Sequence, residues 1–384
     1  MELFMKFYGN IVCPDAAGYG YVAISGGTIT DVVLENEVRQ DENWILPGFI
    51  DTHLHGLLDG SACEEKVAVM AEKAPSTGMV RFCPALAADT HEKLIAFLKR
   101  VKELVRAPEK NTSLIAGSHL EGPYIEPVHK GGMNQVLIRM PDPDEFEKFL
   151  DAADGTLKIM TISPELENAD LIIEKAIRAG VIISAGHTGM SLEQAAHFGD
   201  IGGRGICHIC DTWDGRIVDG GVTQPSTMDA VLLDDRLFIE MIPDGVHVPP
   251  LMVKAVYRMA GAKRIIGITD ALAGAGDPHG IYRMNDGIRS FQCKDGVFRL
   301  IGFNEGIVGS CLTMNMAFDN LTNVFGFSPV ESVWMTSSNS ARYLGIDHFT
   351  GRLQKGLNAD IAILKNDRKT VEKTILAGEI IYEG

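Results

Sequence analysis

Apolar and polar positions along the chain fall into three zones. Near the start, Val22-Ala23-Ile24-Ser25-Gly26-Gly27-Thr28-Ile29-Thr30-Asp31-Val32-Val33 sets two β-branched runs around a Gly-Gly pair, which predicts a hairpin. Near the end, Asp360 to Leu364 and Thr374 to Tyr382 have the same strand character around turn residues. Between them, short apolar runs alternate with longer segments whose apolar residues recur at helical spacing. Glu92 to Arg106, Asp142 to Ala153 and Ala169 to Ala179 are examples. The runs begin near Gly48, Val80, Ser113, Lys158, Val181, Gly205, Leu237 and Arg264. Apolar strands alternating with helices pair in parallel, and eight such units over about 300 residues predict an α/β fold, a (β/α)8 TIM-type barrel rather than an open sheet. The expected barrel spans residues 47–348. Residues 1–46 and 349–384 are expected to join into a small β-sandwich domain built from both chain termini.

Barrels of this type carry their chemistry at the C-terminal ends of the strands, so metal-type residues should collect there. The first run ends Asp51-Thr52-His53-Leu54-His55-Gly56, and a side-chain period of two turns His53 and His55 to one side. The third run ends His119-Leu120-Glu121-Gly122-Pro123, the fifth Ala185-Gly186-His187-Thr188, the sixth Cys207-His208-Ile209-Cys210 and the eighth Thr269-Asp270. A single histidine at a strand end is usually an ordinary hydrogen-bonded group. Two aligned imidazoles are costly to bury without a cation, and the joint pattern of His53, His55, Glu121, His187, His208 and Asp270 points to a divalent metal centre. Imidazole with carboxylate suits Zn²⁺, Fe²⁺, Mn²⁺ or Ni²⁺.

Other residues have plainer readings. His91, His197 and His348 lie in polar or helical contexts and read as surface groups. His119 shares strand parity with Glu121 and reads as a packing or ligand-supporting residue. Cys207 and Cys210 lack a second Cys-x-x-Cys pair, so they read as core residues flanking a ligand.

Composition narrows the class. The 384 residues are 46% apolar and 22% charged, as in a globular protein. A formal charge of −16 disfavours nucleic acid and anionic membrane surfaces. Met1 to Lys6 lacks the pattern of an export signal, and no apolar run has the length of a membrane span. Seven scattered cysteines fit reduced thiols in a cytoplasmic protein.

At this point the ordered motifs resemble the amidohydrolase superfamily and, within it, the N-acetylglucosamine-6-phosphate deacetylase family. Pro47 to Gly56 is similar to the superfamily's first-strand signature; His119 to Pro123 and Ser184 to Thr188 resemble the deacetylase branch. Asp244-Gly245-Val246-His247-Val248, Thr269-Asp270-Ala271 and Gly309 to Met314 match three further motifs of that branch, and Gly351 to Ile361 the usual return into the small β domain. The resemblance implies Glu121, His187 and His208 as shared metal ligands. His53 and His55 extend the set to one or two ions, with zinc foremost. It implies Asp270 as the catalytic acid–base group, and an amino-sugar substrate contacted by His247 and by Gly132, Met133, Asp211, Thr212, Ile307, Val308 and Gly309. Arg216 stands where the family carries its phosphate-binding arginine, and a homodimer is implied as well.

Two positions depart from the branch. Met133 replaces a histidine that contacts substrate, and Asp211-Thr212 replaces Asn-Ala beside the sugar phosphate. A carboxylate near a phosphate dianion is repulsive unless a cation intervenes, so deacylation is expected while the 6-phosphate stays open. An unphosphorylated or different N-acyl sugar is the alternative. N-acyl amino acids and cyclic amides form another; enzymes for the latter commonly use a carbamylated lysine at the end of the fourth strand, where Lys158 stands at the beginning instead. A barrel that binds without catalysis would have lost Asp270 or a ligand, and none is lost.

Overall fold

The computed structural model describes residues 4–384 apart from 64, 65, 110, 217, 303 and 304, so Met1 to Leu3 of the N-terminal segment read above lie outside it. Eight parallel strands follow the eight apolar runs. They are β1 (Phe49–Leu54), β2 (Met79–Ala87), β3 (Ser118–Glu121), β4 (Leu157–Ile162), β5 (Ile182–Ala185), β6 (Gly205–Ile206), β7 (Phe238–Met241) and β8 (Ile265–Gly267). They lie side by side in chain order as one sheet. Just beyond β8 the ring closes on β1: Asp270 N–H donates to His53 O at 2.9 Å and His55 N–H to Ala271 O at 2.8 Å.

Local chemistry explains the alternation. The helix His91–Arg106 begins at Thr90, whose hydroxyl accepts from the Lys93 amide, and it buries Leu94, Phe97, Leu98, Val101 and Leu104 on one face. Pro143–Ala153 begins at Asp142, whose carboxylate accepts from two amides, and buries Phe146 and Phe149. β1 has no exposed residue, as a strand covered on both faces requires. Gly48 is needed where β1 meets β2, because a Cβ there would stand 2.2 Å from Val80 Cγ1.

The third strand starts later than the pattern predicts. Thr112–Leu114 is a short 3-10 turn and the strand begins at Ser118, after Gly117 takes a φ of +148° that a side chain disfavours.

Strands from both chain ends share a seven-stranded sheet. In spatial order these are Glu379–Glu383, Val371–Leu376, Ile361–Leu364, Trp44–Pro47, Met5–Val12, Ala17–Ser25 and Thr28–Asn36. The small β domain expected from both termini is built on this continuous sheet. It bends round its own apolar core of Ile11, Val22, Ile24, Ile29, Ile45, Ile361, Ile363 and Ile375, and its two hairpin turns meet at Gly27 and Gly378.

A second addition went unread in the sequence. After β8 the chain forms a four-stranded antiparallel sheet of Ile281–Arg283, Ser290–Lys294, Val297–Leu300 and Ile307–Ser310. Its last strand returns to the strand-end face, where Ser310 N–H donates to Asp270 O at 2.9 Å. No helix among the described residues is long and apolar enough to cross a membrane.

Candidate active site

The strand ends bring six of the expected residues together. Glu121, at the end of β3, is the hub: its Oε1 lies 2.9 Å from His208 Nε2, 3.0 Å from His187 Nε2 and 3.6 Å from His53 Nε2. Its Oε2 lies 3.3 Å from His55 Nε2. The two imidazoles of β1 face each other, Nε2 to Nε2, at 3.3 Å. Asp270 Oδ1 stands 3.2 Å from His55 Nε2 and 3.7 Å from His53 Nε2. All six residues are buried, none more than 7% exposed.

The outer ring nitrogens show what this arrangement is built to hold. His55 Nδ1 lies 2.8 Å from Ala85 O and His187 Nδ1 2.8 Å from His129 O. A carbonyl oxygen only accepts, so each Nδ1 carries a hydrogen, and in the neutral imidazole each Nε2 turns its lone pair to the centre. Burial opposes charge on His55, but the hydrogen bonds its ring gives to Asp270 and Glu121 outweigh it and push its pKa up to about 9. Burial would likewise raise the Glu121 carboxyl, yet the imidazoles of His53, His187 and His208 hold it well below its ordinary range. Converging lone pairs in a field that demands positive charge fit a divalent cation. His53, His55 and Glu121 form one set of candidate ligands.

Backbone strain fixes the geometry. His187 and Asp270 both adopt left-handed backbone, φ +51° and +47°, a conformation that costs a non-glycine residue on the order of 1 kcal/mol or more. Gly309 follows from this. A Cβ there would stand 2.9 Å from Asp270 O, so the return strand can approach Asp270 only as glycine.

One neighbour was not foreseen in its role. Glu240, in the middle of β7, is fully buried; its Oε1 accepts from Thr52 Oγ1 at 2.7 Å and its Oε2 lies 3.4 Å from His53 Nδ1. A lone carboxylate inside the apolar run Phe238-Ile239-Glu240-Met241 was the available signal. Cys207 directly precedes the candidate ligand His208, and its Sγ is 3.6 Å from His53 Nδ1, near enough to group with metal-type atoms. Cys210 turns elsewhere, 3.5 Å from Met228 Sδ, so the two cysteines make no redox pair.

His119 is buried between Thr52 O at 3.1 Å and Thr161 Oγ1 at 2.9 Å. Burial and the neighbouring His53 push its pKa down to about 3, which keeps it neutral and supporting. His91 is only partly a surface group, since its Nδ1 lies 2.9 Å from Glu145. His197 is exposed and pairs with Asp170.

A cleft opens above the cluster. Gly132, Met133, Asp211, Thr212, Ile307 and Val308 line it, together with His55, Glu121, His187, His208 and Asp270. Gly309 lies behind Asp270 instead. His247 is buried and is not among the residues lining the cleft; its Nδ1 lies 2.5 Å from Asp244 Oδ2, and its Nε2 has no partner among the described residues. Arg216 is not brought to the cleft. Its guanidinium is held by Asp229 through two contacts of 2.6 and 2.9 Å. Lys158 sits at the start of β4 and donates to Gly155 O at 3.2 Å, at the far end from the cluster, which excludes a carbamylated-lysine centre.

The Amidohydrolase family model matches residues 226–381. A solved N-acetylglucosamine-6-phosphate deacetylase from Thermotoga maritima superposes with a TM-score of 0.88, at 29% identity, over 99% of this chain and 100% of that one. The chain is thus similar to amidohydrolases over residues 226–381 and to a solved deacetylase over nearly its whole length. It is also 29% identical over 329 residues to the N-acetylgalactosamine-6-phosphate deacetylase of Escherichia coli, covering 85% of each. It is 27% identical to the N-acetylglucosamine-6-phosphate deacetylase of Bacillus subtilis, over 94% of this chain and 93% of that protein.

Proposed function

We propose that this protein hydrolyses the N-acetyl amide of an amino sugar, releasing acetate and the free amine. The observation that carries the reading is the Asp270 carboxylate set over the four converging imidazoles and Glu121 at the floor of the cleft. His53, His55, Glu121, His187 and His208 would hold one or two divalent ions, with zinc foremost and iron, manganese or nickel compatible. When bound, such an ion supplies Lewis acidity toward water and the acyl oxygen.

The chain's own groups supply the rest. Burial alone would raise the Asp270 carboxyl, but His55 and His53 hold it below the ordinary carboxylate range, so it is ionised at neutral pH. It can therefore take a proton from the attacking water and pass it to the departing nitrogen, general base and then general acid. Asp244 accepts from His247 Nδ1 and leaves Nε2 to orient the acyl group or sugar. Met133, Ile307 and Val308 give the cleft apolar walls against a sugar face. Asp211 and Thr212 offer hydroxyl partners.

Asp211 favours a second reading, a substrate without the 6-phosphate that appears in the names of the relatives. A carboxylate lining the cleft repels a dianion, and Arg216 is engaged with Asp229. The same proposal places the protein in the cytoplasm as a homodimer and divides it at residues 46/47 and 348/349; the lack of a disulfide among the described residues supports the compartment. The deciding experiment compares deacetylation of N-acetylglucosamine and N-acetylgalactosamine, each with and without the 6-phosphate. Failure on all four, with metal bound, would overturn the amino-sugar reading.

A further inference from the structure

We infer that Cys293 and Cys311 form a peroxide-sensitive thiol pair whose closure to a disulfide displaces the segment that carries Asp270. Their sulfurs lie 3.3 Å apart. Cys293 sits in the second strand of the four-stranded sheet, Ser290–Lys294, and Cys311 directly follows the last strand, Ile307–Ser310. Cys293 pairs with Phe298 and Ser310 with Val297, so the two thiols meet across the strand Val297–Leu300 that separates their own. Cys293 is half-buried, which lets a small oxidant reach it, whereas Cys311 is buried. Burial and the adjoining Cys293 sulfur push the Cys311 thiol up, so the first reaction with an oxidant falls to Cys293.

The oxidant is hydrogen peroxide. The Cys293 sulfur attacks one peroxide oxygen, the O–O bond breaks, and a sulfenic acid and one water result. The Cys311 sulfur then attacks the Cys293 sulfur. Its thiol proton leaves with the displaced hydroxyl as a second water, and an S–S bond forms. The two thiols lose two electrons and the peroxide gains them.

A disulfide holds its sulfurs about 2.05 Å apart, so the pair must close by roughly 1.2 Å. Cys293 is the fixed side. Its strand is paired on both edges, and Phe291 of the same strand meets Tyr282 and Phe298 with ring centres 5.4 and 5.0 Å apart. Cys311 is the side that gives, and it is joined to the strand-end face. Ser310 N–H donates to Asp270 O at 2.9 Å, Leu272 N–H donates to Ser310 O at 3.4 Å, and the Ser310 hydroxyl donates to Thr269 O. A shift of Ser310 therefore carries the Asp270 backbone with it. The consequence for turnover, unlike the cross-link itself, rests on the amino-sugar reading above.

The test uses the metal-loaded full chain, reduced with dithiothreitol and then exposed to hydrogen peroxide. Of the seven thiols, two should be lost to titration, and a non-reduced digest should yield peptides joined at Cys293 and Cys311. Hydrogen exchange of the backbone around Asp270 should change on joining. Turnover of N-acetyl amino sugars should fall about 10- to 100-fold, as for an ångström-scale misplacement of a catalytic group, and return with dithiothreitol. Cys293→Ser and Cys293→Ala should keep their turnover and exchange through the same treatment. Absence of the joined peptides, joining that leaves the exchange of this segment unchanged, or joining that leaves an active protein fully active overturns the inference, as does equal inactivation of Cys293→Ser. Joined peptides with altered exchange uphold it even if no N-acetyl sugar is hydrolysed in either state, an outcome that would instead sink the amino-sugar reading.

Discussion

Glu240 Oε2 lies 3.4 Å from Nδ1 of His53, the ring nitrogen turned away from His55, while the other oxygen of the same carboxylate holds Thr52. This is the carboxylate–histidine relation that fixes an imidazole's tautomer and leaves Nε2 free for a metal. Replacing Glu240 by Ala removes the acceptor. Metal affinity should drop by roughly 10- to 100-fold, with a smaller loss in Glu240→Gln, which keeps one oxygen. Competition against a chelator of known affinity measures it; wild-type affinity in both variants would show that His53 needs no such support.

Asp270→Asn keeps the shape of the side chain and removes the proton acceptor. Turnover should fall by about 10²- to 10⁴-fold while metal content stays at the wild-type level. Activity that survives the change would mean that another group handles the proton.

His53 and His55 face Glu121 from β1, whereas His187 and His208 face it from the other side of the ring. If two ions share Glu121, His53→Ala removes one of them and leaves the other. Elemental analysis of the purified variant reads this directly. Unchanged stoichiometry would restrict the centre to a single ion.

Metal removal should make stability depend on pH in a defined direction. His55 in the folded, metal-free chain has its pKa raised to about 9, against about 6.5 for an unfolded imidazole. A folded-state pKa above the unfolded one gives stability that is fully present below about 6.5 and is lost as pH rises through about 9. The Tm of chelator-treated protein should therefore decline over that window, and its gap from metal-loaded protein should widen. A constant gap across the window would contradict a charged His55 in the metal-free chain.

The sequence by itself determined the parts of this protein that depend on local periodicity. Eight apolar runs became eight barrel strands in order. The period of two in β1 set His53 and His55 side by side, and the strand-end rule gathered Glu121, His187, His208 and Asp270 with them. Features that depend on contacts between distant segments were not legible. Glu240 became meaningful only when β7 placed it beside His53, 187 positions away in the chain. The four-stranded sheet over the cleft is built from short, partly exposed strands with little apolar alternation, so nothing in its pattern separated it from loop. The family resemblance pointed to Arg216 as the phosphate ligand, but the fold pairs its guanidinium with Asp229 instead. Side-chain periodicity is a property of the backbone and survives in the linear chain, whereas the partner of a charge is chosen by the whole fold.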